Sequence, residues 1–265
     1  MLLDWHWNSI FQTFPTILYP KEFFDFHDVT EEIVKARIQS KTQYGDFIDK
    51  IIEVCNDANS NVSSDTIKAQ GAIFFAAGFE TTSNNLTTLC YNLAIHPTIQ
   101  DKLFEEIESI DKIDSETINN LHYMEASIME NLRMYAPVII QERICKKDTE
   151  LKGMYIKRGT MISIPIIAAH MNPDFFPEPE VFKPERFLKE NQDEITPYTF
   201  LAFSGGPRIC LGQRFAMVEM KILLANMLKK FKIETCPDTK LKFNQGDLFI
   251  TNYDEIMLKL TPRRK

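Results

Sequence analysis

Residues 203–212 of the chain read Phe203-Ser204-Gly205-Gly206-Pro207-Arg208-Ile209-Cys210-Leu211-Gly212. They place a single cysteine, Cys210, after a turn that contains two glycines and an arginine. Residues 213–231 carry apolar side chains at helical spacing, which predicts a helix beginning close to Cys210. At such a position, free backbone N–H groups and the positive end of the helix dipole favour a thiolate over a thiol.

Other kinds of loop share some of these residues. A phosphate-binding P-loop needs a Lys-Ser or Lys-Thr pair, which is missing from this stretch. A nucleophile elbow needs Gly-x-Ser-x-Gly, and Ser204 is not flanked in that way. A lone cysteine is usually a small apolar core residue, whereas a thiolate on a glycine-bearing loop can ligate a haem iron that cleaves O–O bonds. The loop alone leaves these last two interpretations open.

Four segments together carry a resemblance to a known family. The loop, written Phe203-x-x-Gly206-x-Arg208-x-Cys210-x-Gly212, resembles the haem-thiolate signature of the cytochrome P450 family. Three further segments resemble that family's oxygen-activation helix, its Glu-x-x-Arg helix and its Pro-Glu-Arg-Phe segment, in the family's order: Ala77-Gly78-Phe79-Glu80-Thr81-Thr82, Glu130-Asn131-Leu132-Arg133 and Pro184-Glu185-Arg186-Phe187. Residues 142–148 (Glu-Arg-Ile-Cys-Lys-Lys-Asp) are similar to the animal microsomal branch, which oxidises drugs, steroids and xenobiotics.

The resemblance implies a mainly α fold with a small β component, corresponding to the C-terminal portion of the cytochrome P450 fold. It predicts one partial domain over residues 1–265, with the haem-thiolate loop at 203–212. The N-terminal helices and membrane anchor, and a Trp-x-x-x-Arg helix that holds a haem propionate, are expected to be absent. Trp5 and Trp7 do not restore that helix, because position 9 is Ser9.

The resemblance also implies a haem b cofactor and assigns residues to it. Cys210 would ligate the iron through its thiolate. Arg208 and Arg143 would each pair with a haem propionate, a contact that suits the guanidinium fork. For Arg143 alone, an exposed charge at a strand end is the simpler interpretation. Three other residues would line the haem beside the sulfur: Phe203, Leu211 and Gly212.

Glu80 and Thr81 are the catalytic residues that the resemblance implies. Thr81 would donate a hydrogen bond at the reacting oxygen, and Glu80 would relay protons from solvent. Gly78 and the two threonines 81 and 82 weaken the helix locally, which favours a groove for dioxygen. The alternative is a solvent-facing glutamate and a structural threonine.

A structural network and an apolar lining complete the assigned residues. Glu130 and Arg133 are spaced i,i+3 on one helix face and can pair, and Arg186 is expected to join them. Breaking such a buried network strands a charge, so its predicted role is structural. The residues expected to face a lipophilic substrate are all apolar: Phe74, Ala77, Val138, Ile139, Ile140, Leu248 and Phe249.

Composition narrows the class of protein. The hydrophobic fraction of 44% and the charged fraction of 25% are those of an ordinary globular protein. A net charge of −7 argues against a nucleic-acid partner. Five cysteines without a Cys-x-x-Cys pair fit a reducing, cytosol-facing compartment.

The first two dozen residues are rich in aromatic and aliphatic side chains. This composition suits a membrane-interface surface, and it equally suits a core segment whose partners lie elsewhere. The resemblance implies the cytosolic face of the endoplasmic reticulum membrane. Together these observations predict a membrane surface as one partner and leave the role of the segment itself open.

The expected function is a haem-thiolate monooxygenase that inserts one atom of dioxygen into a small lipophilic substrate. Electrons would come from NADPH through NADPH–cytochrome P450 reductase. The alternative is a truncated, catalytically incompetent haem-binding fragment of such an enzyme.

Apolar spacing, helix caps, prolines and glycines predict these helices and strands: helices 23–40, 44–55, 64–95, 97–109, 115–135 and 213–231, and strands 139–145, 151–156, 161–164, 241–245 and 255–261.

Overall fold

The structure, a computed structural model, describes residues 21–56, 64–108, 110–114, 116–244 and 251–263. Most of its helices lie close to the ranges expected from the sequence, whereas the short helix at Ile166–His170 was not expected. The helices are α1 (Lys21–Ser40), α2 (Phe47–Asn56), α3 (Ser64–Ile95), α4 (Pro97–Glu108), α5 (His122–Met134), α6 (Ile166–His170) and α7 (Gln213–Lys230). None of the helices in these ranges combines the length and apolarity needed to cross a membrane.

The strands are short and pair only in twos within the described ranges. They are β1 (Ile140–Ile144), β2 (Thr149–Leu151), β3 (Met154–Ile156), β4 (Met161–Pro165), β5 (Phe231–Glu234), β6 (Phe243–Asn244), β7 (Asn252–Tyr253) and β8 (Lys259–Pro262). All four pairs are antiparallel: β1 with β4, β2 with β3, β5 with β8, and β6 with β7. The prediction of a mainly α fold with a small β component is confirmed.

The chain forms two compact units, one ending at Phe79 and the other beginning at Glu80. In the first unit, the rings of Phe47 and Phe74 stack with their centroids 4.5 Å apart. The guanidinium of Arg37 binds the carboxylate of Asp49 at 2.8 Å. The prediction of a single domain stays a prediction.

The core of the second unit lies between α4, α5, α7 and the part of α3 from Glu80 onward. Its members are fully or almost fully buried and come from the apolar face of each helix, as helical spacing requires. They include Leu89, Leu93, Leu103, Ile107, Ile128, Leu132, Leu224 and Leu228. This core fixes α5, and with it the Glu-x-x-Arg segment, against α3 and α7.

The single helix expected over residues 115–135 is wrong. A 3₁₀ turn occupies Thr117–Asn120, and Leu121 leaves helical geometry with φ −81° and ψ 78° before α5 begins. The side chain of Glu106 on α4 explains the break. Its carboxylate accepts the backbone N–H groups of Tyr123 and Met124 at 2.7 and 2.9 Å. A remote carboxylate therefore caps a new helix start, and periodicity within 115–135 cannot reveal it.

Candidate functional site

The loop 203–212 is held by its own backbone. The Cys210 N–H donates to the Phe203 carbonyl at 2.8 Å, which closes the loop on itself. Between them a 3₁₀ turn spans Gly206–Arg208, and Gly206 has φ +68°. That left-handed conformation strains most side chains but not glycine, so the sequence needs a glycine at this point of the turn. Cys210 therefore occupies a defined position three residues before α7 begins.

Cys210 differs from the other cysteines whose side chains the structure describes. It is exposed, whereas Cys90, Cys145 and Cys236 are half-buried. Burial raises the pKa of the Cys90 thiol to about 12, which keeps that sulfur protonated and inert. Cys210 is thus the described thiol best placed to meet a bound group.

The surroundings of Cys210 combine a packed side and an open side. Phe203 packs against the hydrophobic core, while Leu211 is 91% exposed. A Cβ added at Gly206 or at Gly212 would meet no atom within 4 Å. The loop therefore presents its sulfur and its glycine backbone to open space, where a flat group can approach.

Two arginines lie at this loop, one within it and one on β1. Arg208 is exposed within the 3₁₀ turn itself. Arg143 belongs to β1, and its Nη2 donates to the Ser204 hydroxyl at 3.3 Å. The Ser204 hydroxyl in turn donates to the Gln141 side-chain carbonyl at 3.1 Å. Gln141 and Arg143 are two residues apart on one strand and so share a face, which brings Arg143 to the loop although 61 positions separate it from Ser204.

Glu130, Arg133 and Arg186 also meet. Arg133 is fully buried and grips Glu130 through two parallel bonds, Nε to Oε2 and Nη2 to Oε1, each 2.8 Å long. Arg186 Nε donates to Glu130 Oε1 at 3.4 Å. The remaining donors of Arg133 reach the carbonyls of His170 and Pro179 at 2.9 and 2.7 Å. The network therefore joins α5 to the end of α6 and to the long proline-bearing segment after it.

The residues assigned to oxygen chemistry lie in the part of α3 that belongs to the second unit. Glu80 and Thr81 are half-buried, and Thr82 is buried. The Glu80 carbonyl accepts a bond from the Ser83 hydroxyl at 3.1 Å. Glu80 is therefore partly accessible to solvent, whereas Thr82 lies in the interior.

The residues assigned to substrate contact are spread over both units. Val138, Ile139 and Ile140 are half-buried at the start of β1, and the Ile139 carbonyl is fixed by the N–H of Ile166 at 2.8 Å. Phe74 and Ala77 are exposed on α3 in the first unit. Leu248 and Phe249 lie outside the described residues, as do residues 1–20. Substrate contact by this set stays a prediction.

The chain matches the family model "Cytochrome P450" over residues 2–260. The chain belongs to the cytochrome P450 family. Similar proteins are cytochrome P450 3A29 of Sus scrofa, 36% identical with 97% of this chain and 53% of that protein covered, and cytochrome P450 3A13 of Mus musculus, 38% identical with the same coverage. Cytochrome P450 3A9 of Rattus norvegicus is 39% identical, with 88% of this chain and 48% of that protein covered. The chain spans about half the length of the curated relatives it matches.

A cytochrome P450 carries haem, and the residues at loop 203–212 fit that group chemically. An exposed cysteine sulfur suits iron. Two guanidinium groups, Arg143 and Arg208, suit two propionate carboxylates. The open side of the loop at Gly206 and Gly212 leaves room for a flat macrocycle. This loop therefore has a sulfur ligand, two guanidinium groups and an open glycine backbone close together, as haem binding requires.

His170 is a residue of this P450 fold that sequence reasoning left without a role. It is fully buried. Its Nδ1 lies 3.1 Å from the Arg133 carbonyl, and its Nε2 accepts the N–H of Leu201 at 2.8 Å. Since a carbonyl only accepts and an N–H only donates, the ring must be the neutral tautomer with the proton on Nδ1. His170 therefore links the Glu-x-x-Arg helix to the segment that leads into the cysteine loop.

Acid should destabilise the fold through His170. Burial lowers its pKa to about 4, and the Arg133 guanidinium adds to this, although the bond to the Arg133 carbonyl opposes it. Between pH 4 and the ordinary value of 6.5, the unfolded chain binds one more proton there than the folded chain. The contribution of His170 is therefore complete above pH 6.5, and it falls by about 1.4 kcal/mol per pH unit as pH drops towards 4.

Urea unfolding of the wild type and His170→Gln between pH 7.5 and 4.8 measures this effect. Glutamine does not titrate, so the variant should show a shallower loss of stability in acid. Carboxylates that titrate in both proteins cancel in the comparison. Equal slopes in the two proteins would contradict the assignment of the neutral ring.

A second feature missed in the sequence is a polar contact between α3 and α5. The Asn131 amide donates to the Asn85 carbonyl at 3.0 Å and to the Thr88 hydroxyl at 2.9 Å. Its carbonyl accepts the Asn92 amide at 2.7 Å. The spacing of 85, 88 and 92 places three polar residues on one face of α3, which is a signal that the sequence did contain. This contact fastens the Glu-x-x-Arg helix to the helix that carries Glu80 and Thr81.

Proposed function

We propose that this protein is a haem-thiolate monooxygenase, with Cys210 as the protein ligand of the iron. The observation that carries the proposal is the loop 203–212. It combines an exposed cysteine, a backbone bond from Cys210 to Phe203 that fixes it, and Arg143 brought to its edge through Ser204. Membership of the cytochrome P450 family supports the same reaction class.

The arginines and the apolar residues of the loop have separate roles in this proposal. Arg143 and Arg208 hold the propionates, and the bond from Arg143 to Ser204 orients its guanidinium beforehand. Phe203 and Leu211 would shield the sulfur from water together with the bound haem. When bound, haem supplies the iron centre at which dioxygen is activated.

Thr81 and Glu80 are proposed to handle protons. Thr81 donates a hydrogen bond from its hydroxyl towards the reacting oxygen, and Glu80 moves protons from solvent towards that hydroxyl. The half-buried positions of both residues support these roles, because one side chain must reach the interior while the other exchanges with water. Their position on a helix anchored by Asn131 keeps that arrangement fixed.

The substrate is proposed to be small and lipophilic, since Val138, Ile139 and Ile140 present only apolar side chains. Electrons are proposed to come from NADPH through NADPH–cytochrome P450 reductase. The cytosolic face of the endoplasmic reticulum membrane is the proposed location. The relatives named cytochrome P450 3A support the animal microsomal branch for all three assignments.

The carbon monoxide difference spectrum of the reduced, haem-supplemented protein tests the proposal. A band near ~450 nm is expected, because a thiolate on iron produces it. A band near ~420 nm, or none, would contradict Cys210 ligation. A band near ~450 nm without product, in the presence of reductase, NADPH and a lipophilic substrate, would instead favour the alternative of a haem-binding fragment without turnover.

A further inference from the structure

Thr251 is buried and makes hydrogen bonds to two other segments of the second unit. Its hydroxyl donates to the carbonyls of Ala136 and Pro137, the latter at 3.1 Å. Its N–H donates to the Pro137 carbonyl at 2.8 Å. Its own carbonyl accepts the Asn84 amide at 2.7 Å. These four residues, Asn84, Ala136, Pro137 and Thr251, are called the Thr251 clasp below.

The clasp joins α3 to the chain that immediately precedes β1. Asn84 lies three residues after Thr81, and residues so spaced are neighbours on a helix surface. Pro137 directly precedes Val138, Ile139 and Ile140. Through Thr251, the apolar segment 138–140, called the apolar wall below, is therefore tied by hydrogen bonds to the turn of α3 that carries Thr81.

We propose that the Thr251 clasp determines specificity by fixing the apolar wall Val138–Ile140 relative to Thr81. This inference rests on the proposed function. Apolar walls hold lipophilic molecules by contact and not by directed bonds. The position of such a wall would therefore decide which ligand shapes the site accepts, since a displacement of about 1 Å already changes reactivity greatly.

The hydrogen bonds of the Thr251 clasp are suited to this role because they leave the three segments that they join little freedom to move. A buried hydroxyl or carbonyl that loses its partner is costly, so each of the three segments is held in one arrangement. Asn84 and Thr251 themselves are polar, and neither is among the residues assigned to haem or to the substrate. Their effect on fit is exerted through the wall, which makes them positioning residues.

The test compares two iron-binding probes of different size, imidazole and 4-phenylimidazole, in the haem-loaded full chain. Their affinities are read from the Soret shift, so no turnover is needed. In Thr251→Val, which keeps the shape but loses the hydroxyl, the affinity ratio of 4-phenylimidazole to imidazole should fall roughly tenfold, the scale that apolar fit usually commands. Thr251→Ser keeps the hydroxyl and should stay within about twofold of the wild type. The carbon monoxide band should be the same in all three proteins.

Asn84→Ala tests the other end of the clasp, and alanine is well tolerated in a helix. It should lower the same ratio, and it decides the question if Thr251→Val does not fold. An unchanged ratio in a folded variant overturns the inference, as does a shifted carbon monoxide band or loss of haem from both variants, since the clasp would then serve only folding. A wild-type chain without a band near ~450 nm overturns the proposed function and this inference with it.

Discussion

Arg133→Ala is expected to lower the free energy of unfolding by about 3–5 kcal/mol and to abolish haem retention. The substitution removes both Arg133 bonds to the Glu130 carboxylate and leaves that buried anion with the Lys183 N–H at 3.0 Å and the longer contact from Arg186. It also removes the donors that satisfy the carbonyls of His170 and Pro179. The loss is a large part of the about 5–15 kcal/mol that stabilises a typical domain. Urea unfolding, soluble yield and bound haem measure the three consequences.

Two control variants separate the network from a general effect of charge. Arg133→Lys keeps the positive charge but cannot make the paired bonds of a guanidinium, so it should fall between the wild type and Arg133→Ala. Lys259→Ala removes a solvent-exposed partner of Glu234 and should leave stability and haem content unchanged. Normal haem content together with normal stability in Arg133→Ala would contradict the structural role of the network.

Helices whose ends are marked by a capping residue or a proline could be predicted from the sequence. The helix expected over 64–95 is observed at Ser64–Ile95, because Pro97 follows and helices end before a proline. The expected strand 151–156 is instead a hairpin of Thr149–Leu151 and Met154–Ile156. Its turn requires Gly153 at φ +81°, a conformation that favours glycine. Gly153 was visible in the sequence, but the pairing of the two halves was not.

Strand β5 is an element whose conformation the local sequence pattern does not determine. Residues 231–234 directly follow α7, and their apolar content allows either a longer helix or a strand. The Gln100 side chain on α4 binds both the N–H and the carbonyl of Ile233, each at 2.8 Å. The residues of β5 pair with β8 in an antiparallel arrangement. Gln100 and β8 both lie far from residues 231–234 along the chain, so the sequence pattern within 231–234 does not indicate either partner.

The candidate site likewise contains residues that the sequence predicts and residues that it does not. Motif resemblance predicts Cys210, Arg143 and the Glu130–Arg133 pair, because each lies in a short recognisable segment, and the structure brings Arg143 to Ser204 and Arg133 to Glu130. His170 could not, since its role depends on two backbone groups, the Arg133 carbonyl and the Leu201 N–H. Backbone donors and acceptors have no sequence signature. Buried side chains that bind them therefore emerge only once the fold is known.

Cys210→Ser is expected to abolish the band near ~450 nm while leaving the protein folded. Serine has nearly the same shape, and the exposed position of Cys210 limits the change in stability to about 0.5 kcal/mol. The N–H of residue 210 still donates to the Phe203 carbonyl, so the loop keeps its geometry. What changes is the donor atom, because a hydroxyl is a harder and far less acidic ligand than a thiol.

Cys236→Ser is the matched control, since Cys236 is half-buried and its sulfur accepts the Thr239 hydroxyl at 3.4 Å. That variant should keep the band near ~450 nm in full. A band near ~450 nm that survives in Cys210→Ser would refute ligation by Cys210. Loss of the band in both variants would show that the measurement reports folding and not ligation. Loss in Cys210→Ser alone, at unchanged urea stability, ties the spectrum to one sulfur atom, and the assignment of Arg143, Arg208 and Thr81 around it then rests on an established centre.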